Sequence, residues 1–258
     1  MLLYGDYHTH TPYSHGKNTV LENVEAAKRA GLREIAITDH GFNHIFFGLK
    51  RKKLDALRRE TDEAEAVTGV RVLMGMESNL ISLDGGTDMR LGDYDKFDIY
   101  LCGIHLMVKY KGIGDAYKLM CKNYLTYKSG KKPSKSLIKD TTRAYVSLVK
   151  NNPVDILTHI NYKCYCDVKE VAKVCADYGT YIEINTKKRH VSAEQLCEMA
   201  DVGCRFVIDS DAHSAERVGD TLIADELIKE SEIPLSLIDN IEGRRPRFRF
   251  AAYKSRGF

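Results

Sequence analysis

Short apolar runs alternate with longer amphipathic stretches along the whole chain. Seven runs are too brief for helices: 3–7, Glu34-Ile35-Ala36-Ile37-Thr38, 70–76, 98–103, Asp155-Ile156-Leu157-Thr158, Tyr181-Ile182-Glu183-Ile184 and Phe206-Val207-Ile208. Each reads as a short strand. Between them, Val20, Val24 and Ala27 recur at helical spacing before Gly31, and 50–67, 168–178, 192–202 and 221–230 are also helical in character. Residues 113–150 predict one or two helices broken at Ser129-Gly130-Lys131-Lys132-Pro133, and a short helix is expected after Pro234. Strands alternating with helices predict an α/β fold on a largely parallel sheet. Seven strands suit a closed or nearly closed barrel in one domain spanning 1–258, with a doubly wound open sheet as the alternative.

Composition narrows this picture. A chain of 258 residues with 43% hydrophobic residues can bury a full core without internal repeats or linkers. Its first residues, Met1-Leu2-Leu3-Tyr4-Gly5-Asp6, lack the basic and apolar regions of a secretory signal. No apolar run approaches the roughly 18 residues of a membrane span. The seven cysteines form no Cys-x-x-Cys pair, which favours thiols in a reducing compartment over a disulfide framework. A cytoplasmic protein that does not enter the membrane is expected. The charge is unevenly spread: 107–150 holds eleven basic residues against Asp115 and Asp140, and 243–258 holds six and no acid. These segments read as a basic helical insertion and a basic C-terminal tail. They suit either an anionic partner, phosphate or nucleic acid, or a solvated helix face and tail. Tyr110, Tyr117, Tyr124 and Tyr127, interleaved with lysines, carry the same two readings, base stacking or helix packing.

The candidate chemistry follows the strands. His8 and His10 follow the first, His40 the second, and Glu77, His105, His159, Asp211 and His213 follow later ones. In a parallel barrel all strand C-termini open on one face, so these side chains converge. In an extended segment residues i and i+2 point the same way, so His8 and His10 can share an ion, as can Asp211 and His213. Imidazole and carboxylate donors suit zinc, iron or manganese. With His15, nine groups are too many for one ion and predict two or three divalent ions, with Glu77 bridging.

These residues resemble the PHP (polymerase and histidinol phosphatase) family. The resemblance rests on Asp6-Tyr7-His8-Thr9-His10-Thr11, Ser14-His15-Gly16, Ile37-Thr38-Asp39-His40-Gly41, Glu77, His105, His159 and Ser210-Asp211-Ala212-His213. It spans 6–213 and is nearest to stand-alone phosphatases of that family. It implies a distorted (β/α)7 TIM-like barrel. It also implies a partition of ligands: His8, His10, Glu77 and Asp211 for one metal, Glu77, His105 and His159 for a second, and His15, His40 and His213 for a third.

The implied activity is hydrolysis of a phosphate monoester of a small metabolite by a metal-bridged hydroxide, with histidinol phosphate one family substrate among several. Glu77, Asp211 and His213 are the candidate catalytic residues. Arg217, Lys187, Arg189 and His190, with Lys188, are candidates for clamping phosphate, or else form a solvated basic loop. His44 reads as an ordinary loop histidine, and Asp39 as a ligand-orienting carboxylate or a turn residue. The basic insertion is longer than a minimal member needs, so a nuclease acting on single-stranded or short oligonucleotides is the alternative. A non-catalytic metal-stabilised binding domain is the third reading. The oligomeric state is left open.

Overall fold

The computed structural model describes residues 1–256. Seven parallel strands follow one another in chain order around a single sheet: β1 (Gly5–Thr9), β2 (Glu34–Ile37), β3 (Arg71–Asn79), β4 (Ile99–Gly103), β5 (Ile156–Leu157), β6 (Tyr181–Asn185) and β7 (Phe206–Asp209). The helices α1 (Val20–Arg29), α2 (Leu54–Thr68), α3 (Ile113–Asp115), α4 (Lys122–Ser129), α5 (Lys135–Asn151), α6 (Val168–Tyr178), α7 (Ala193–Ala200), α8 (Leu222–Ser231) and α9 (Arg249–Lys254) complete the chain. Of the two topologies expected, the near-closed barrel is the one observed. The short helix expected after Pro234 is a 3-10 turn, Leu235–Leu237. No helix among the described residues is long and apolar enough to cross a membrane.

Two ends of the sheet meet at β1 and β7 without a full ladder. A bridge joins Thr9 to Ala212, and the Tyr7 N–H donates to Asp209 Oδ1 at 2.7 Å. Lower down, Asn240 fills the seam. Its amide donates to the carbonyls of Gly5 (3.0 Å) and Ile208 (2.7 Å), and its oxygen accepts the Ile208 N–H at 2.9 Å. One side chain thus satisfies edge groups that a missing strand would otherwise pair.

The interior is layered by strand periodicity. Tyr7, Ala36, Leu73, Ile99, Leu101, Ile156, Tyr181 and Val207 form their own buried cluster. Two and four residues further along the same strand faces come Thr38 and His40, Gly75 and Glu77, Gly103 and His105, Asp209 and Asp211. The lower barrel is therefore apolar and its C-terminal mouth polar. In β1 the register shifts between Asp6 and Thr9, and this irregularity lets Tyr7 join the apolar layer while His8 and His10 both reach the mouth.

Two basic segments differ from their expected form. α5 is the crossover helix before β5, burying Leu137, Thr141, Ala144, Tyr145 and Leu148, and the rest of the basic segment precedes it in 113–129. That stretch runs through a π-helical turn, Ala116–Cys121, and ends at the left-handed Gly130. The C-terminal segment is not a free tail, although its last two residues lie outside those described. The Phe248 ring meets Tyr7 edge-on at 4.9 Å and closes the barrel floor, while Phe250 is fully buried outside against Tyr94 and Tyr100. The seven cysteines are free thiols, five of them buried.

α1 shows how local sequence serves the site. Thr19 caps it through a reciprocal box with Glu22, whose carboxylate accepts the Thr19 N–H at 2.7 Å. The helix carries Asn23, whose amide donates to the His10 carbonyl at 2.9 Å. Thr19→Ala is expected to cost about 1 kcal/mol, read by calorimetry as a drop in Tm of about 2–4 °C. An unchanged Tm would show that the cap contributes nothing.

Candidate metal centre

All nine expected ligands lie at the C-terminal mouth of the barrel. Glu77 is at their centre, fully buried near the end of β3, which runs further than expected because its pairing with β4 continues to Asn79 and Gly103. Its Oε1 lies 2.7 Å from His159 Nε2, 2.9 Å from His105 Nε2 and 3.2 Å from His8 Nε2. Its Oε2 lies 2.8 Å from His40 Nδ1 and 3.6 Å from His10 Nε2. One carboxylate thus touches five imidazoles. Burial alone would push its pKa up, but His105, His8 and His40 outweigh burial and hold it well below the usual carboxylate range.

The donor spacing tests whether cations fit. Four donors placed tetrahedrally about 2.0–2.2 Å from one ion stand roughly 3.4 Å apart. His8 Nε2 and His10 Nε2 are 3.2 Å apart, and Asp211 Oδ1 is 3.8 Å from the first and 3.4 Å from the second. Two like imidazole nitrogens facing each other beside two carboxylates form a cradle for a cation. One buried atom says the same: His15 Nδ1 has no hydrogen-bond partner, and His40 Nδ1 and Glu77 Oε2, 2.8 Å apart, do not meet in hydrogen-bond geometry. Three overlapping donor groups fall within 4.8 Å: His8, His10 and Asp211; His40, Glu77 and His105; His10, His40 and His213. The first holds three of the four residues of the first set in the implied partition, without Glu77. In the other two His40 and His10 take part across its boundaries, while His15 and His159 flank them. His15 stacks on His40 at 4.8 Å and meets His213 edge-on at 4.2 Å.

The state of these rings suits ligation. Burial pushes His15 down to about 4 and His40 down to about 3, so both are neutral imidazoles with a free lone pair near pH 7. Asp39 does not touch its neighbour His40. It accepts the Thr11 N–H at 2.8 Å and the Thr11 and Ser14 hydroxyls, and so fixes the turn that brings His15 back over His10.

A cleft of about 470 Å³ opens over this cluster. Its lining includes the apolar Phe46, Phe47, Leu106 and Met107 and the basic Lys163, Lys187 and Lys188. Lys187 Nζ is 3.2 Å from Asp211 Oδ1 and 3.0 Å from His213 Nδ1, beside the ligands. His190 lines the cleft and meets His159 edge-on at 6.0 Å. Arg217 and Arg189 are engaged elsewhere. Arg217 donates to the Thr186 carbonyl at 2.9 Å and pairs with Asp220 at 3.0 Å, whereas Arg189 pairs with Glu230 at 2.6 Å. His44, taken from the sequence as an ordinary loop histidine, lines the cleft and stacks on His40 at 5.0 Å.

Sequence reasoning also missed Glu183. It lies on β6 and is buried, with Oε1 2.6 Å from His8 Nδ1 and Oε2 accepting the His159 N–H at 2.6 Å and the Asn185 amide at 3.0 Å. The signal was present: Glu183 shares a strand face with Tyr181 and Asn185, the face that turns inward.

A protein-family model described as PHP domain matches residues 6–187. A protein named probable phosphatase from Caldanaerobacter subterraneus subsp. tengcongensis is 28% identical over 250 residues, covering 91% of this chain and 86% of its own. Histidinol phosphate phosphatase from Lactococcus lactis, solved with zinc, L-histidinol and phosphate, superposes with a TM-score of 0.59 at 18% identity, covering 91% of this chain and 95% of that one. An archaeal ribonuclease P with mature tRNA gives 0.51 at 11% identity, covering 90% and 84%. At such identities the structural likenesses concern the fold. The family match, however, runs from β1 through β6 and takes in every strand that leads to an expected ligand but the last, and on that extent the chain belongs to the PHP domain family.

Proposed function

We propose that the cleft hydrolyses a phosphate monoester of a small metabolite, using two or three divalent ions, zinc, manganese or iron, held by the nine donors. The chain is a metal-dependent phosphatase of the PHP family, and the ester class and the residue roles are what this reading adds. The observation that carries it is the convergence of seven histidines and two carboxylates under a cleft of metabolite size, about 470 Å³. The zinc and phosphate of the lactococcal protein support the same chemistry.

Bound there, divalent ions would supply Lewis acidity toward phosphoryl oxygens and make water acidic enough to attack near neutral pH. The chain supplies the rest. Glu77 and Asp211 bring negative charge to the centre and hold the imidazoles around it. Lys187, beside Asp211 and His213, presents an ammonium to a phosphoryl oxygen entering the cleft, the role sequence reading also gave to Arg217. His213 is half-buried at the cleft edge, where a ligand from the third implied set is expected. Phe47, stacked on His15 at 4.5 Å, shields that side of the cluster from water.

The test is a metal-reconstituted screen of phosphomonoesters, phosphodiesters and oligonucleotides. Monoesters are expected to turn over best. Good turnover of diesters without monoesters, lost steeply with salt, would establish the nuclease reading instead. A metal-loaded protein that hydrolyses nothing in the panel would leave a metal-stabilised binding domain.

A further inference from the structure

We infer that the metal cleft continues into a second compartment that receives a further negatively charged group carried by the leaving part of the substrate. The inference rests on the monoester reading. A cavity of about 290 Å³ adjoins the cleft and shares Tyr162, Lys163, Lys188 and His190 with it. Its lining holds three cations, Lys163, Lys188 and Arg189, and no carboxylate. Glu230 occupies Arg189 from outside, but neither lysine forms an ion pair among the described residues. Lys163 rests on the Tyr162 ring, its ammonium 4.5 Å from the centroid. Two unpaired ammonium groups over a concave, carboxylate-free surface concentrate positive potential there.

The backbone is shaped for this placement. His159, Asn161 and Lys163 have φ of 28°, 67° and 51°, left-handed conformations at alternate positions of one loop. Asparagine and, to a lesser degree, histidine adopt them more readily than most residues, whereas lysine rarely does, and such strain costs of order 1–3 kcal/mol. The loop is nevertheless held, with the Tyr162 N–H on the His159 carbonyl at 2.9 Å and the Cys166 N–H on Asn161 Oδ1 at 3.2 Å. Its effect is to turn Tyr162 and Lys163 over the boundary between the two cavities. Tyr127, from the stretch 113–129, and Tyr165 also line the smaller one. Ring faces beside unpaired cations fit an organic group ending in a carboxylate or second phosphate.

The test uses the metal-loaded protein and two aryl phosphates matched in phenol acidity, one with a para carboxymethyl group and one with a para ethyl group. The charged ester is expected to have a kcat/KM about tenfold higher, chiefly through KM. The ratio should fall toward one in Lys163→Met/Lys188→Met, stay in the double arginine variant, and shrink with salt. Equilibrium binding of the corresponding phosphonates repeats the comparison without turnover. Equal turnover and equal binding of the two partners would overturn the second compartment and leave the monoester reading standing. Tighter binding of the charged phosphonate with no ester hydrolysed would do the reverse.

Discussion

Replacing Glu77 by alanine is expected to lower kcat/KM at least a thousandfold, about 4 kcal/mol of transition-state stabilisation. It should also reduce the metal content of the purified protein. The reason is the number of groups this carboxylate serves. His8, His40, His105 and His159 all lie within 3.2 Å of one or the other of its oxygens. Without it the Nε2 atoms of His105 and His159 and the Nδ1 of His40 lose the carboxylate they share, and any cations they hold repel with less negative charge between them. The measurement pairs steady-state kinetics on the best monoester with metal analysis and a thermal melt. A variant keeping full metal content and within tenfold of the parent activity would show that Glu77 does not organise the centre. A merely unfolded variant would be recognised by its melt.

Most of this centre was legible in the sequence because strand periodicity carries it. Ala36, Thr38 and His40, or Leu73, Gly75 and Glu77, step along one face from apolar layer to mouth, so a histidine or carboxylate at a strand end had only one direction to go. Less legible were residues whose direction depends on something other than the strand. Arg217 is close to His213 in sequence, but the 3-10 turn Ala215–Arg217 sends its guanidinium to Asp220 and the Thr186 carbonyl. The basic count of 243–258 hid the alternation of Phe248 and Phe250, which place one ring under the barrel and the next outside it. Similarly, the lysines of 107–150 drew attention from the helical spacing of Leu137, Thr141, Ala144 and Leu148, the buried face of an ordinary crossover helix.

Glu183 was missed for a related reason: within an apolar strand a single carboxylate reads as an exception rather than a component. Its geometry leads to the second large expected effect. Each of its oxygens meets a donor, the His8 Nδ1–H at 2.6 Å and the His159 backbone N–H at 2.6 Å. A proton held on His8 Nδ1 leaves Nε2, the atom facing Glu77 and His10, free as a lone-pair donor. Glutamine cannot serve both sides. If its oxygen stays on the His159 N–H, its NH2 faces His8 and forces the proton to Nε2, where it blocks ligation. If it flips, two N–H groups oppose each other at His159, a residue already in left-handed backbone. Glu183→Gln is therefore expected to weaken metal binding about 10–100-fold. Calorimetric titration of the metal-free protein reads this directly, and activity should recover in part at saturating metal. A purely structural role would lower the melting temperature of the metal-free protein without changing affinity, and unchanged affinity would remove Glu183 from the account of the centre.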